Sequence, residues 1–388
     1  NSIVGGYFLN SFTVGSTTLT SDAQLLPEAL DGFVFKLGPT GTPLWAKQLG
    51  GPSVDAVRGV ATDSSGNVFV LGASVLGGDI ATPPQSTSVQ YGCGPRVLEK
   101  DVQTVFLTKL SPQGDCLWDK ALEIDTRFYG IYSEPVGLAL TVDPDDDVIL
   151  VGGFAGVVNF GGGTSIVATG GKDVFVLKAD PAGEPIWAAA FGDDNFQAAT
   201  AVATDQKGDI WIGGACQHSV TLDPLPTALD PLADPNYSKG FIAKLELDPD
   251  PTLPARPVFL QPLWDGGWQE LRSVATDAAG DVVFGGNAYA FAGATGIDFG
   301  DGQKIAPSGM DQNGNYYNDG FVLKYCSSGG LRWSRRFGTS ASETVFGVAA
   351  DDAGNTFVTG SFEGKYDFGG GQSYTPLGED VFTLRLGP

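Results

Sequence analysis

The chain has 388 residues, 42% of them hydrophobic, so it is long and apolar enough to bury a large core. Its formal net charge of −23 would repel phosphate backbones and anionic lipid headgroups, which argues against nucleic-acid binding and membrane-surface binding. No apolar run approaches the length of a membrane span, and the 56 glycines follow no triplet period, which excludes collagen.

The chain begins inside a two-stranded segment that recurs along its length. Residues 1–8, NSIVGGYF, match residues 355–362, NTFVTGSF, which form the second strand of a complete copy. A complete copy is an apolar strand ending in Asp, a short turn and a second strand. The turn glycines supply the positive φ that such a turn requires, and Asp146 stands in the glycine position of one copy. Complete copies lie at 57–74, 137–154, 200–216, 272–288 and 346–362.

A second recurring segment contains a strand with a lysine, a turn, and a strand with an aromatic residue. Its regular copies lie at 31–45, 104–118, 173–187 and 319–333, and each ends on a tryptophan. The copy that starts at residue 239 is looser and carries Phe259 in the tryptophan position. The chain ends inside a sixth copy, in which Arg385 takes the lysine position. We expect the aromatic residues to pack between adjacent units.

Together the two segments supply four strands, and four-stranded units repeated around a ring form a propeller. The sequence therefore predicts an all-β fold, a β-propeller of six blades with four antiparallel strands each, as one domain over residues 1–388. Two of the four strands occur six times and the other two occur five times. The blades at the two termini are therefore expected to be incomplete at one seam, which flanking sequence or another segment would complete.

Three signatures resemble the bacterial SBBP-type β-propeller repeat family, which is abundant in secreted proteins of myxobacteria and related groups. They are D-x-F-V-x-K-L followed by G-x-x-x-W, then G-V-A-x-D-x-x-G-N-x-x-V-x-G, and [DN]-F-G-x-G. The third signature occurs at 159–163, 298–302 and 367–371, and units one, two and four depart from it. The resemblance covers nearly the whole chain. It implies a propeller in an extracellular setting and little about activity.

Candidate contact residues lie in the long connections, which share one face of a propeller, whereas tight turns occupy the opposite face. Exposed aromatic side chains on that face would anchor a protein or a glycan. The alternative is that they fold back onto the blades. The candidates are Tyr91, Tyr129, Tyr132, Tyr237, Trp264, Trp268 and Tyr316.

The segment DQNGNYYND at 311–319 is the best candidate for a metal site. Calcium takes six to eight oxygen ligands, and alternating side chains aim their oxygens at one point. Two features weaken this site, because Tyr316 replaces the usual glycine and the repeat already explains the last aspartate. The candidate Ca²⁺ ligands are Asp311, Asn313, Asn315, the carbonyl of Tyr317, and Asp319.

The four cysteines include no CxxC pair, which argues against a zinc cluster. Cys93 and Cys116 lie within one repeat and are candidates for a disulfide, which suits an oxidising compartment. The chain opens on Asn1 without a signal peptide. We therefore expect a mature or trimmed fragment of a longer secreted or cell-surface bacterial protein.

His218 is the only histidine, which argues against histidine-based catalytic triads and histidine-metal sites. The expected function is a secreted or cell-surface binding or structural module with a protein or glycan partner, and not an enzyme. Two alternatives stay open: a carbohydrate-active enzyme on the same scaffold, and a subunit of a surface assembly joined by strand exchange at the open seam. Carboxylates clustered with aromatic residues at the pore mouth would favour the enzyme.

Overall fold

The computed structural model describes residues 1–22, 30–75, 86–99, 103–122, 124, 138–226, 228–229, 238–263, 267–290, 296–302, 304–306, 308–309, 317–369, 371 and 373–388. Within these residues every named element is a β-strand, and none is a helix long and apolar enough to cross a membrane. The chain divides into two compact units, residues 1–168 with 175–190 and residues 169–174 with 191–388. The single domain expected over 1–388 stays a prediction.

The sheets that we number blades 1 to 3 lie in the first unit, except for Asp173, Val174 and Phe191 at the ends of two strands of blade 3, which belong to the second unit. Their strand orders are β1-β4-β5, β6-β7-β10-β11 and β12-β13-β16-β17, and the strand pairs of blades 1 and 2 and the β12–β13 pair of blade 3 are antiparallel. The strands are β1 (Ser2–Phe8), β2 (Ser11–Val14), β3 (Thr17–Thr20), β4 (Asp31–Leu37), β5 (Pro43–Leu49), β6 (Val54–Thr62), β7 (Val68–Val75), β8 (Ser86–Gln90), β9 (Pro95–Glu99), β10 (Gln103–Leu110), β11 (Cys116–Leu122), β12 (Leu138–Val142), β13 (Val148–Phe154), β14 (Val157–Gly161), β15 (Thr164–Val167), β16 (Asp173–Ala179) and β17 (Pro185–Phe191).

The second unit contains blades 4 to 6, with strand orders β18-β19-β22-β23, β24-β25-β28-β29 and β30-β31-β34. The strands are β18 (Gln197–Thr204), β19 (Ile210–Cys216), β20 (Ser219–Val220), β21 (Ala228–Leu229), β22 (Lys239–Glu246), β23 (Arg256–Leu263), β24 (Gly267–Thr276), β25 (Val282–Ala290), β26 (Ile297–Asp298), β27 (Lys304–Ile305), β28 (Asn318–Tyr325), β29 (Leu331–Phe337), β30 (Glu343–Ala350), β31 (Thr356–Phe362), β32 (Tyr366–Asp367), β33 (Ser373–Tyr374) and β34 (Asp380–Leu386).

These sheets confirm a six-bladed β-propeller of mainly four-stranded antiparallel sheets. We call the strands of a complete blade first to fourth, in chain order. Among the described residues, blade 1 has the second, third and fourth strands and blade 6 the first, second and third, as the repeat phasing predicts. The second and third strands of the inner blades are buried along most of their length, and β13 and β16 along all of it, because both faces of each sheet are covered.

A glycine in the second strand allows the sheets of blades 2, 4, 5 and 6 to pack closely. An added Cβ at Gly214 would meet the ring of Phe241 on the third strand and lie 2.6 Å from the carbonyl oxygen of Ala198 on the first strand. The same conflict occurs at Gly72 in blade 2 and at Gly286 in blade 5. This glycine therefore makes room for a phenylalanine inside the sheet.

The long connections between second and third strands are more regular than the sequence predicts. Each contains a small two-stranded hairpin, from β2-β3 in blade 1 to β32-β33 in blade 6. The [DN]-F-G-x-G signature forms the turn of three of them. The Asp298 carboxylate accepts hydrogen bonds from the Gly300 and Gly302 amides at 2.8 and 3.0 Å, and Phe299 is buried beside it.

Candidate functional site

The two ends of each blade have different chemistry. We call the end with the short turns the turn end, and its turns lie at 38–42, 63–67, 111–115, 143–147, 180–184, 205–209, 277–281, 326–330 and 351–355. Blade 4 departs from this regularity because its third and fourth strands are joined by the longer segment 247–255. We call the opposite end, with the hairpins and the connections between blades, the loop end.

A buried ion pair recurs at the turn end. The aspartate that closes the first strand contacts the lysine of the third strand, as in Asp277 and Lys324, whose charged atoms lie 2.9 Å apart with both side chains 2% exposed. The aspartate also accepts hydrogen bonds from its own turn amides, here those of Ala279 and Asp281. Equivalent pairs join Asp63 to Lys109, Asp143 to Lys178, and Asp205 to Lys244. These charges are used inside the fold and are not available to a ligand.

Two tryptophans of the fourth strands, Trp45 and Trp118, connect neighbouring blades of the first unit, as the sequence predicts. The Trp45 indole of blade 1 donates a hydrogen bond to the Pro112 carbonyl at 3.1 Å and packs on Gly114 in the turn of blade 2. Trp118 makes the same contacts with Pro181 and Gly183 of blade 3. The turn end is therefore structural.

At the loop end, an acidic or amide side chain closes the connection that leads into the first strand of blades 2, 4 and 6. The Asp55 carboxylate accepts from the amide four residues earlier, that of Gly51, at 3.0 Å. Glu343 accepts from the Thr339 amide at 2.8 Å in the same way, and Gln197 from the Asp193 amide at 3.2 Å. We did not predict this feature, although its spacing, a glycine five residues before the polar residue, is visible in 50–55, 192–197 and 338–343.

A second set of buried carboxylates opens the third strands. Burial raises the pKa of Asp31 to about 6, although the Asp22 amide and the Gln48 side chain donate to its Oδ2 atom. Burial raises the pKa of Asp319 to about 7, although Arg336 forms an ion pair with it. Because these carboxyl groups are enclosed by protein, they shape the loop end and do not face solvent.

Asp55 is the most enclosed of these groups. Burial raises its pKa to about 7, although hydrogen bonds donated by Ser74, Ser53 and the Gly51 amide favour the ionised form. A raised pKa means that folding favours the protonated form, so its contribution to stability is present below about pH 4 and is lost as pH rises through about 7. Between pH 4.5 and 8, we expect the unfolding temperature of the wild type to fall. The fall for Asp55→Asn should be smaller by about 2–4 °C.

Thermal unfolding followed by circular dichroism at the two pH values measures this difference. The exposed Asp115→Asn variant is the control and should keep the wild-type profile. Equal pH profiles for Asp55→Asn and the wild type would show that Asp55 is ionised in the folded protein at neutral pH.

An exposed surface on blades 5 and 6 differs from these internal networks. We define the β24–β30 surface as Trp268, Glu270, Arg272 and Phe346. Trp268 is 38% exposed and Phe346 is 49% exposed. The Arg272 guanidinium forms an ion pair with Glu270 at 2.7 Å and lies over the Phe346 ring, 5.8 Å from its centroid.

A β-bulge explains why Arg272 and Phe346 reach solvent. The pairing register of β24 shifts between Leu271 and Ser273, so Arg272 is an extra residue, and that of β30 shifts between Val345 and Gly347 around Phe346. Bulges redirect side chains and are frequent beside functional sites. Similar shifts occur around Arg58 and Thr200, so the repeat places one extra residue at this position of the first strand.

The structure corrects one predicted contact residue and leaves another exposed. Tyr91 was expected on the surface but is 1% exposed, because its ring stacks on Phe106 at 4.4 Å between centroids in the core of the first unit. It therefore folds back onto its blade. Trp268 is exposed, as expected. The remaining candidates lie outside the described residues: Tyr129, Tyr132, Tyr237, Trp264 and Tyr316.

The predicted calcium site falls mostly outside the described residues, which exclude Asp311, Asn313 and Asn315. Its described carboxylate, that of Asp319, interacts with Arg336 and with the Ser308 amide and hydroxyl. A calcium ion would have to compete with that arginine. Calcium binding stays a prediction.

Cys93 and Cys116 are joined by a disulfide in blade 2, with their Cα atoms 5.3 Å apart. This is the pairing proposed from the sequence. Asp119 lies beside it, where its carboxylate accepts a hydrogen bond from the Cys93 amide at 3.0 Å and forms an ion pair with Arg96. Although Cys93, Cys116 and Asp119 are close enough to surround a metal ion, the bond between the two sulfurs removes the thiolates that would hold one.

Comparisons with known proteins agree with this architecture. A family model described as the SBBP β-propeller repeat matches residues 44–74, which run from the fourth strand of blade 1 through the second strand of blade 2. An uncharacterized WD repeat-containing protein, L264 of Acanthamoeba polyphaga mimivirus, is 25% identical over 194 residues. The match covers 44% of this chain and only 13% of that relative. The chain is a β-propeller repeat protein, consistent with a protein-interaction module, and a bacterial origin stays a prediction.

Proposed function

We propose that this β-propeller repeat protein is an extracellular or cell-surface binding module, not an enzyme, and that it contacts a protein or glycan partner through the β24–β30 surface. The observation that carries the proposal is the exposure of Arg272 and Phe346 in contact with each other, with the exposed Trp268 on the same strand as Arg272. Tryptophan and arginine dominate the energetics of protein interfaces, and preorganised side chains lose little entropy on binding.

The internal contacts of this surface support the proposal. The ion pair to Glu270 and the ring of Phe346 hold the Arg272 guanidinium in place, yet its side chain stays 36% exposed. A planar guanidinium held in this way can still donate hydrogen bonds to a carboxylate or a carbonyl of a partner. We therefore favour a protein partner over a glycan, and the name of the WD repeat relative is compatible with that choice.

Two further observations support the extracellular location and the non-enzymatic role that we propose. The Cys93–Cys116 disulfide suits an oxidising compartment outside the cytoplasm. The loop-end carboxylates with raised pKa values, Asp31, Asp55 and Asp319, are buried, whereas a hydrolytic carboxylate pair must reach its substrate.

The binding test compares the wild type with an Arg272→Ala/Phe346→Ala double variant. Binding partners are first captured by the wild type on a glycan array or by pull-down, with and without added Ca²⁺. We expect each of them to bind the double variant at least about 10-fold more weakly than the wild type. Both side chains are partly exposed, so the unfolding temperature should change little. Binding constants are then measured for each captured partner by calorimetry.

A double variant of an exposed apolar pair elsewhere, Val157→Ser/Val167→Ser, serves as the matched control. These residues face each other across β14-β15 and are 68% and 62% exposed. The proposal fails if every partner binds the Arg272→Ala/Phe346→Ala protein as tightly as the control, or if a captured glycan is chemically altered by the wild type.

A further inference from the structure

Two fully buried carboxylates lie close together at the loop end, where blade 1 meets blade 2. Asp31 opens the third strand of blade 1, Asp55 lies in the first strand of blade 2, and both residues are 0% exposed. Their backbones are adjacent, because the Leu30 carbonyl accepts a hydrogen bond from the Asp55 amide at 2.7 Å. Burial raises the pKa of Asp55, and the charge of Asp31 raises it further. Two like charges in a protein interior need a counter-charge or a proton.

The described residues supply hydrogen bonds to this pair but no counter-charge. No ion pair joins either carboxylate to a lysine, arginine or histidine of the described chain. Burial raises the pKa of Asp31, and the Asp22 carboxylate raises it further. The groups that donate hydrogen bonds to the two carboxylates are all neutral: the Asp22 and Gly51 amides and the side chains of Gln48, Ser53 and Ser74.

The same two acidic positions recur where blade 5 meets blade 6, and there an arginine accompanies them. Asp319 opens the third strand of blade 5, and Glu343 closes the connection into blade 6 as Asp55 does into blade 2. The fourth strands have the same register in both blades, so Arg336 and Gln48 occupy equivalent positions. Arg336 forms an ion pair with Asp319. Because Gln48 fills the arginine position in blade 1, the difference in charge lies in side chains that are present.

Three buried oxygens around the pair have no hydrogen-bond partner among the described residues: Asp31 Oδ1 and the hydroxyls of Ser21 and Tyr91. Tyr91 is 1% exposed, where burial raises its pKa and the charge of the nearby Asp55 raises it further. Ser21 precedes Asp22, whose amide donates to Asp31 at 2.9 Å. Buried polar atoms without a partner are rare, and a coordinated ion accounts for them. These oxygens and the two carboxylates together indicate a cation site.

We propose that Asp31 and Asp55 bind one Ca²⁺ ion, with the free oxygens of Ser21 and Tyr91 beside it. Two ionised carboxylates and one divalent cation are together neutral, whereas a monovalent cation would leave a negative charge buried. Ca²⁺ accepts irregular sets of carboxylate and hydroxyl oxygens, whereas Mg²⁺ demands a regular octahedron and keeps several waters. The site offers only oxygen atoms, which disfavours softer metals. It is separate from the segment 311–319 and from the β24–β30 surface.

The number of bound Ca²⁺ ions tests this site. The intact 388-residue chain is stripped with EDTA and dialysed against about 1 mM Ca²⁺ at about pH 8, and bound calcium is measured by elemental mass spectrometry. We expect the Asp31→Asn/Asp55→Asn variant to bind about one ion per chain fewer than the wild type, because asparagine oxygens accept hydrogen bonds but carry no charge. The exposed Asp115→Asn variant is the control and should bind as many ions as the wild type.

Gln48→Arg is a second variant, and it leaves both acids in place. It gives blade 1 the arginine that blade 5 has, so the guanidinium should replace the ion and about one ion fewer should bind. In EDTA, its unfolding temperature should exceed that of the wild type by about 3 °C. A purely structural role for Gln48 predicts a lower unfolding temperature and unchanged calcium binding. This variant decides alone if Asp31→Asn/Asp55→Asn does not fold.

An Asp311→Asn/Asn313→Ala variant separates this site from the calcium site predicted at 311–319, and it should retain the ion held by Asp31 and Asp55. The proposal is overturned if the wild type binds no Ca²⁺ under these conditions, or if Asp311→Asn/Asn313→Ala binds none. It is also overturned if Asp31→Asn/Asp55→Asn or Gln48→Arg binds as many ions as the wild type. The pH comparison of Asp55→Asn with the wild type is made with EDTA present, so that Ca²⁺ does not compete with the proton.

Discussion

Replacing Lys324 with methionine is expected to lower the free energy of unfolding by about 3–5 kcal/mol. The Asp277 carboxylate would remain 2% exposed with no cation beside it, and the Gly354 carbonyl would lose the hydrogen bond that Lys324 donates at 2.8 Å. Urea unfolding followed by tryptophan fluorescence measures the loss. The cost arises mainly from the carboxylate left behind and not from the lost attraction.

The double variant Lys324→Met/Asp277→Asn tests that explanation. An asparagine at 277 can still accept the turn hydrogen bonds from Ala279 and Asp281 but carries no charge, so the double variant should be more stable than Lys324→Met alone. Arg256→Met is the exposed control, because Arg256 and Glu246 lie 3.8 Å apart at 67% and 44% exposure, and its effect should be below about 1 kcal/mol. Similar losses for Lys324→Met and Arg256→Met would contradict the buried-pair account.

Gly72→Ala is expected to destabilise the first unit by about 2–4 kcal/mol. The new methyl group would meet the Cζ atom of Phe106 and lie 2.5 Å from the carbonyl oxygen of Ala56. The phenylalanine ring cannot withdraw freely, because its other side stacks on Tyr91 in a core where both rings are nearly inaccessible. The strand must therefore shift or the ring must leave its rotamer.

Gly38→Ala is the matched control, because an added Cβ there would have its nearest neighbour at 3.6 Å, an ordinary van der Waals contact. Its free energy of unfolding should stay within about 0.5 kcal/mol of the wild type. Restoring space in the double variant Gly72→Ala/Phe106→Leu should recover part of the loss. If Gly72→Ala and Gly38→Ala have the same free energy of unfolding, the sheet can accommodate a methyl group at position 72 and the packing explanation is wrong.

The blades were predictable because each repeat has local signals at fixed spacing. The turn after Asp63 requires a positive φ at position 66, which glycine readily supplies, and the tryptophan strand follows a turn of its own in every regular copy. These constraints act over a few residues, so a sequence read in one dimension reveals them. The hairpins of the long connections were missed, because their strands are as short as the two residues of β26 and β27.

The candidate site was predictable only in part. Trp268 is exposed as expected, whereas Tyr91 is buried. Both are aromatic residues in a polar connection, and nothing local separates them. The difference comes from Phe106, a distant residue on a neighbouring strand, which offers Tyr91 a flat apolar partner. Arg272 and Phe346 were overlooked, because a bulge reverses the alternation that assigns side chains to faces.

The number of blades, the strands present in the two end blades, and the turns could all be predicted from the repeat pattern, since each depends on residues close together in the chain. Which charges are internal and which surface is exposed depends on how the strands pack against one another. The aspartate of each first strand and the lysine of each third strand recur in the sequence as two unrelated positions, 46 residues apart for Asp63 and Lys109 (109 minus 63). Their pairing follows from strand register, which brings distant residues together and which no local pattern encodes.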